Sequence, residues 1–195
     1  MSDTILGIFK KHGAYLSGHF KLTSGLHSNS YMQCALVLQY PSTASGLSEL
    51  LIGKLQSDIP DFKADVVIGP AMGGVILAQE LARVIGCRAL FMERVEGKFT
   101  LRRGFSVEKG EKILLSEDVV TTGGSVREVA DVLTAEGYDV VGICSLVDRS
   151  GGKARFTVPF VPLMSLAIPT WEPSDCPLCR EGVPIYTPGS KGTSK

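Results

Sequence analysis

From Asp65 onward, apolar and polar positions fall into alternating blocks. Asp65 to Ile68, Ala89 to Met92, Lys112 to Ser116 and Val140 to Val147 are short, nearly continuous apolar runs. Such runs mark strands buried on both faces. Gly74 to Ile85 and Ser125 to Glu136 lie between them with apolar residues at helical spacing, the second closed by Gly137. Strands separated by helices of this length predict parallel βαβ units with right-handed crossovers, and ligands in such sheets bind beyond the carboxyl ends of the strands. Earlier in the chain, Asp3 to Lys11 predicts a short amphipathic helix through Ile5, Leu6, Ile8 and Phe9. His12 to Tyr31 reads as loop-rich, and Ser42 to Gln56 as a helix with Ser42 or Thr43 as N-cap. After Pro169 the prolines multiply and the chain turns irregular, and residues 188–195 read as a frayed tail.

Glu93 to Lys112 interrupts this rhythm. It carries Glu93, Arg94, Glu96, Lys98, Arg102, Arg103, Glu108, Lys109 and Glu111, too much charge for a core. Two readings stand open: a lid or binding loop, and an exposed β-hairpin. Composition narrows the function classes. Lys+Arg 20 against Asp+Glu 20 argues against a general nucleic-acid binder, which needs a basic excess. A hydrophobic content of 44% excludes a mostly disordered chain. No apolar run reaches the ~18 residues of a membrane span, and the first residues lack the pattern of a secretory signal. Glycine is in surplus, 22 of 195 residues against a usual ~7%, so it belongs at turns or at close backbone approaches.

The most informative stretch is Glu117-Asp118-Val119-Val120-Thr121-Thr122-Gly123-Gly124-Ser125, directly after a buried strand and directly before a helix. Small residues let several backbone N–H groups converge on an anion, hydroxyls add donors, and the helix dipole is positive at the same place. That suits a monophosphate. Glu117 and Asp118 suit a sugar diol, or Mg²⁺ held directly or through water. Phosphate at the loop and diol at the acids describe a ribose 5-phosphate. No Gly-Lys-Ser/Thr follows and no GxGxxG is present, so neither an ATPase loop nor a dinucleotide fingerprint is indicated.

This run resembles the hallmark of the type I phosphoribosyltransferases, which bind phosphoribosyl pyrophosphate (PRPP). Gly18 to Tyr31, with its Phe-x-Leu-x-Ser-Gly stretch from Phe20, and Asp148-Arg149 after the Val140 strand narrow the resemblance to the orotate phosphoribosyltransferases. The resemblance implies an α/β fold: a central, mainly parallel sheet flanked by helices, a small hood formed largely by residues 1–40, and a mobile catalytic loop at 93–111, all in one domain of 195 residues. It implies transfer of ribose 5-phosphate from PRPP to orotate in pyrimidine biosynthesis. Lys98, Arg94, Glu117 and Asp118 take catalytic roles. Glu117 to Ser125, Val119 and Val120 included, bind PRPP with Arg94 and Lys98. Thr121, Arg149 and Phe20 bind orotate; an Arg fork suits a planar carboxylate. Mg²⁺ arrives with PRPP. A cytoplasmic homodimer is implied, with neither nucleic acid nor membrane as partner.

This chain departs from the family at several positions. Val95 and Thr100 stand where many members have Lys and His, with Arg102 or Arg103 nearby to compensate. Met72-Gly73 replaces Tyr-Lys in a Gly-Pro-Ala-Tyr-Lys-Gly stretch, removing a diphosphate-binding lysine, and the backbone amides of Met72 to Gly74 are offered in its place. Thr23 replaces another lysine. Cys176-Pro177-Leu178-Cys179 is a lone CxxC. A zinc site needs a second ligand pair, and His12, His19 and His27 look scattered, so the stretch reads as a plain turn or dimer-edge element. Cys34, Cys87 and Cys144 read as core filler. Two alternative functions stay open: a purine phosphoribosyltransferase, and a PRPP-sensing regulator that binds nucleic acid.

Overall fold

The predicted strands and helices form a six-stranded sheet of order β5-β4-β3-β6-β7-β8 in a computed structural model that describes residues 2–22 and 24–188. Thr23 and residues 189–195, most of the expected tail, lie outside the described residues. The elements run α1 (Ser2–Lys11), β1 (Tyr15–Lys21), β2 (His27–Met32), α2 (Ala35–Leu38), α3 (Pro41–Asp58), β3 (Val66–Pro70), α4 (Gly73–Ile85) and β4 (Arg88–Val95). They continue with β5 (Lys98–Leu101), β6 (Lys112–Val120), α5 (Gly124–Ala135), β7 (Asp139–Asp148), β8 (Phe160–Ser165), β9 (Thr170–Trp171) and α6 (Pro177–Arg180). The chain divides into two compact units, residues 38–166 and residues 1–37 with 167–195.

In the larger unit β4, β3, β6, β7 and β8 pair in parallel and β5 is an antiparallel edge. One core joins alternate residues of the sheet (Val66, Ile68, Ile113, Leu115, Ile143) to Val126, Val129 and Leu133 of α5. Strand side chains alternate between faces, so α4, which packs on β3, β4 and β6, takes the opposite face together with α3. That division follows from handedness. The crossover β3–α4–β4 runs one way along the sheet and β6–α5–β7 the other, and right-handed crossovers in opposite directions put their helices on opposite faces. The direction reverses between β3 and β6, the place where α/β sheets open a crevice.

Local details differ from the sequence expectations. The helix beginning near residue 41 is capped at Tyr40 rather than Ser42 or Thr43, because Pro41 occupies its first turn with φ already suitable for a helix. The strand expected to stop at Ser116 continues to Val120, since each of Glu117, Val119 and Val120 still pairs with β7. The charged interruption takes the hairpin form: β4 and β5 pair Val95 with Lys98 around Glu96 and Gly97, both at positive φ.

The smaller unit corrects two expectations. His12 to Tyr31 is a hairpin rather than loop: Tyr15 pairs with Met32 and Lys21 with His27, with a register shift between Ser17 and Phe20. Polar residues alternating along these strands hid them from an apolar-run search. The expected N-terminal hood also draws on the other end of the chain. β9 pairs with β2, and Lys21 N–H donates to the Tyr186 carbonyl at 2.9 Å while Tyr186 N–H donates to that of His19 at 2.8 Å. The Cys176-Cys179 pair, read above as an unpartnered turn, faces His19 and His27 across this same unit.

Candidate active site

β6 carries the two acids near its carboxyl end, and α5 begins at Gly124, six residues after Asp118. Arg94, Glu117, Val119 to Val126 and Glu128 line a cleft of about 350 Å³, within the ~300–1,000 Å³ range of small-molecule sites. The loop is held open by glycine. Gly123 sits at φ 76 as the N-cap of α5, and a Cβ there would lie 2.7 Å from the Phe156 ring. Thr122 Oγ1 accepts from Gly124 N–H at 3.4 Å. First-turn amides of a helix lack intrahelical partners, and here they belong to residues that line the cleft. With hydroxyls from Thr121, Thr122 and Ser125 in the same lining, this arrangement offers the donors an anion requires.

The acids differ in setting. Glu117 lines the cleft, and one of its oxygens accepts from Asp118 N–H at 3.3 Å. Asp118 Oδ1 accepts from Val119 N–H at 2.8 Å, and its carboxylate fills the space beside Gly73 at the start of α4. Burial pushes both carboxyls up from the usual range, and the Asp118 charge raises Glu117 further. Two partly buried carboxyls side by side, both raised by their surroundings, suit a cation or a developing positive charge that offsets their repulsion. Such a pair fits Mg²⁺ or a ribosyl cation.

The β3–α4 turn meets the same place. A Cβ on Gly74 would lie 2.8 Å from the Ser116 carbonyl, and one on Gly73 2.7 Å from Asp118 Oδ1. Gly73, singled out as a missing lysine, is therefore also a close approach between the two loops at the switch point. Ala71–Met72 is a cis peptide, and Ala71 N–H donates to the Met92 carbonyl at 2.8 Å.

Arg149 N–H donates to the Val120 carbonyl at 2.8 Å, so Thr121 and Arg149 leave neighbouring strands side by side. Arg94 lies in the lining, in a two-pronged pair with Glu128 at 2.7 and 3.0 Å and over the Phe99 ring at 4.1 Å. Glu128, one helical turn after Gly124, was not singled out in the sequence; that spacing was the available signal. Lys98 is exposed on the hairpin edge and does not line the cleft. Arg102 and Arg103 both pair with Glu93, at 3.6 and 3.0 Å. Phe20 belongs to the smaller unit, where its ring meets Tyr31 and Tyr186 at 5.9 and 6.2 Å.

Residues 37–157 match the family model of the phosphoribosyl transferase domain. The chain is 53% identical to the orotate phosphoribosyltransferase of Carboxydothermus hydrogenoformans over 184 residues, 94% of this chain and 95% of that one. Among solved structures, orotate phosphoribosyltransferase from Aeropyrum pernix is 30% identical with a TM-score of 0.71, covering 83% of this chain and 93% of that one. Adenine phosphoribosyltransferase from Saccharomyces cerevisiae shares the fold at 15% identity and a TM-score of 0.59, over 69% of this chain and 86% of that one.

Proposed function

The chain belongs to the orotate phosphoribosyltransferases of the phosphoribosyl transferase family, and on that premise we propose that it transfers ribose 5-phosphate from PRPP to orotate, giving orotidine 5′-monophosphate and diphosphate. The observation that carries the reading is the switch-point cleft, where a glycine-rich, hydroxyl-lined helix start adjoins the Glu117–Asp118 carboxyl pair.

In this reading Thr121 to Ser125 anchor the 5-phosphate, and that remote binding orients the sugar. Glu117 and Asp118 hold the ribose hydroxyls and stabilise positive charge growing on the ring as the C1–oxygen bond to diphosphate breaks. Arg94 exchanges Glu128 for the leaving diphosphate, and Lys98 joins it when the hairpin folds over. Arg149 and Thr121 receive orotate, whose deprotonated ring nitrogen attacks C1; Phe20 is proposed to cover the base. No protein nucleophile is needed. Glu117 and Asp118 would hold the Mg²⁺ that accompanies PRPP, and the ion would supply charge neutralisation for the leaving diphosphate. We extend the proposal to a cytoplasmic homodimer, as the resemblance implies. No helix among the described residues is long and apolar enough to cross a membrane, and the balanced charge gives nucleic acid no handle.

Orotate consumption followed by its ultraviolet absorbance tests the proposal, with PRPP and Mg²⁺ each omitted in turn. Turnover of orotate that needs both is expected. Turnover of adenine, guanine or hypoxanthine in place of orotate overturns it.

A further inference from the structure

His19, His27, Cys176 and Cys179 each turn one ligand atom toward a common point, and the four atoms all lie within 4.8 Å of one another. We propose that these side chains form a structural zinc site, in which Cys176 and Cys179 bind as thiolates and the two histidines as neutral imidazoles.

The distances carry the assignment. A tetrahedral Zn²⁺ with Zn–N of about 2.0–2.1 Å and Zn–S of about 2.3 Å requires ligand atoms roughly 3.3–3.8 Å apart. Here His19 Nε2 is 3.0 Å from His27 Nδ1, 3.5 Å from Cys176 Sγ and 3.7 Å from Cys179 Sγ, and Cys179 Sγ is 3.2 Å from His27 Nδ1. The two distances from His19 to sulfur fall in that range and the two to His27 are a few tenths of an ångström shorter, so small side-chain shifts would seat the ion.

The tautomer agrees. His19 Nδ1 lies 2.8 Å from the Val183 carbonyl, which can only accept, so Nδ1 carries the proton and Nε2 presents its lone pair to the cluster. A ligand histidine whose far nitrogen donates to a carbonyl is the usual second tier of a zinc site. The charge agrees too. Two thiolates cancel Zn²⁺, so the loaded site is neutral, as befits His19, His27 and Cys176, all buried. Mixed sulfur and imidazole ligands in a four-fold set favour zinc over harder cations, and a full set leaves no position for substrate. The role is therefore structural.

Its place in the chain says what it holds. His19 and His27 sit on the β1–β2 hairpin, while Cys176 and Cys179 flank and form α6. Zinc would pin the C-terminal segment to the N-terminal hairpin, next to the backbone bonds that Lys21 and His19 make with Tyr186. A metal that binds only the folded arrangement adds its binding energy to folding.

Metal analysis of the full-length protein, purified under reducing conditions from zinc-supplied cells, is the test. One zinc per chain is expected, falling to background in a Cys176→Ser/Cys179→Ser variant and in His27→Ala. In case those variants misfold, the wild-type protein stripped by chelator and given Co²⁺ provides a second readout. Thiolate-to-cobalt charge-transfer absorption with the intense visible bands of tetrahedral cobalt supports the site, and chelation should lower the melting temperature by several degrees. Wild-type protein that holds no zinc and gives no such spectrum overturns the proposal, as do retention of metal by the folded double-serine variant, a preference for another metal, or a Cys176–Cys179 disulfide under the same reducing conditions.

Discussion

A Cβ on Gly73 would stand 2.7 Å from Oδ1 of Asp118, so the acid occupies the room that glycine leaves at the head of α4. Gly73→Ala must turn the Asp118 carboxylate away and break its 2.8 Å bond from Val119 N–H. Alanine is the better helix former, so stability should hold or rise slightly. Misplacing a group by about 1 Å can cost roughly a hundredfold in rate, and turnover should fall by tenfold or more. Parallel thermal melts and kinetics check this; unchanged kcat would detach Asp118 from the chemistry.

The carboxyl pair predicts a pH response. Burial raises both groups above their unfolded values. An acid raised on folding stabilises the fold while it is protonated. That contribution is complete below the ordinary carboxylate range, near pH 4, and is lost as pH climbs through the raised value. Glu117→Gln should therefore melt higher than wild type at neutral and alkaline pH, with the gap closing toward acid, while turnover drops by about a hundredfold. Binding of Mg²⁺ and PRPP should release protons, seen in calorimetry as a heat that varies with the buffer's ionisation enthalpy.

Arg149 separates the two substrates. Removing one charged hydrogen-bonding partner of an anion costs about 1.5–3 kcal/mol, roughly a ten- to hundredfold rise in KM for orotate. Arg149→Ala should show that rise with KM for PRPP nearly unchanged. Arg149→Lys should recover only part, since a point charge replaces a planar fork.

Lys98 tests the hairpin. It lies on the exposed edge of β5 and outside the cleft lining. Lys98→Ala should lower kcat at least tenfold while leaving the dissociation constant for orotate, measured without turnover, close to wild type. Full turnover would mean that the β4–β5 hairpin serves packing alone.

Much of the larger unit was legible because its strands are apolar on both faces and its helices amphipathic, so each block announced its own geometry. The run from Glu117 to Ser125 was legible for another reason: a phosphate cradle is built from consecutive residues. What escaped depended on partners far away in sequence. β1 and β2 alternate polar residues and are tied to residues near Tyr186. Glu128 meets Arg94 only after the hairpin and α5 have packed. The cysteine pair looked unaccompanied because its partners are two histidines eight residues apart, on facing strands rather than in a second CxxC. Gly73 read as the loss of a lysine, and only the structure shows what fills the vacated space.

The smaller unit also sets an order of events during synthesis. Its hairpin leaves the ribosome well before the carbonyl that Lys21 bonds and the thiols that face His19, which belong to residues 176–186. Residues 38–166, which include the whole six-stranded sheet, are complete before then and can fold as chain elongation proceeds. Until residues 170–186 appear, the outer edges of β1 and β2 wait unpaired, a window in which nascent chains are open to chaperones and to mispairing. Synthesis of residues 176–186 thus completes this unit, and a chain stalled or cut before Cys176 would keep the six-stranded sheet while leaving the hairpin without its partners.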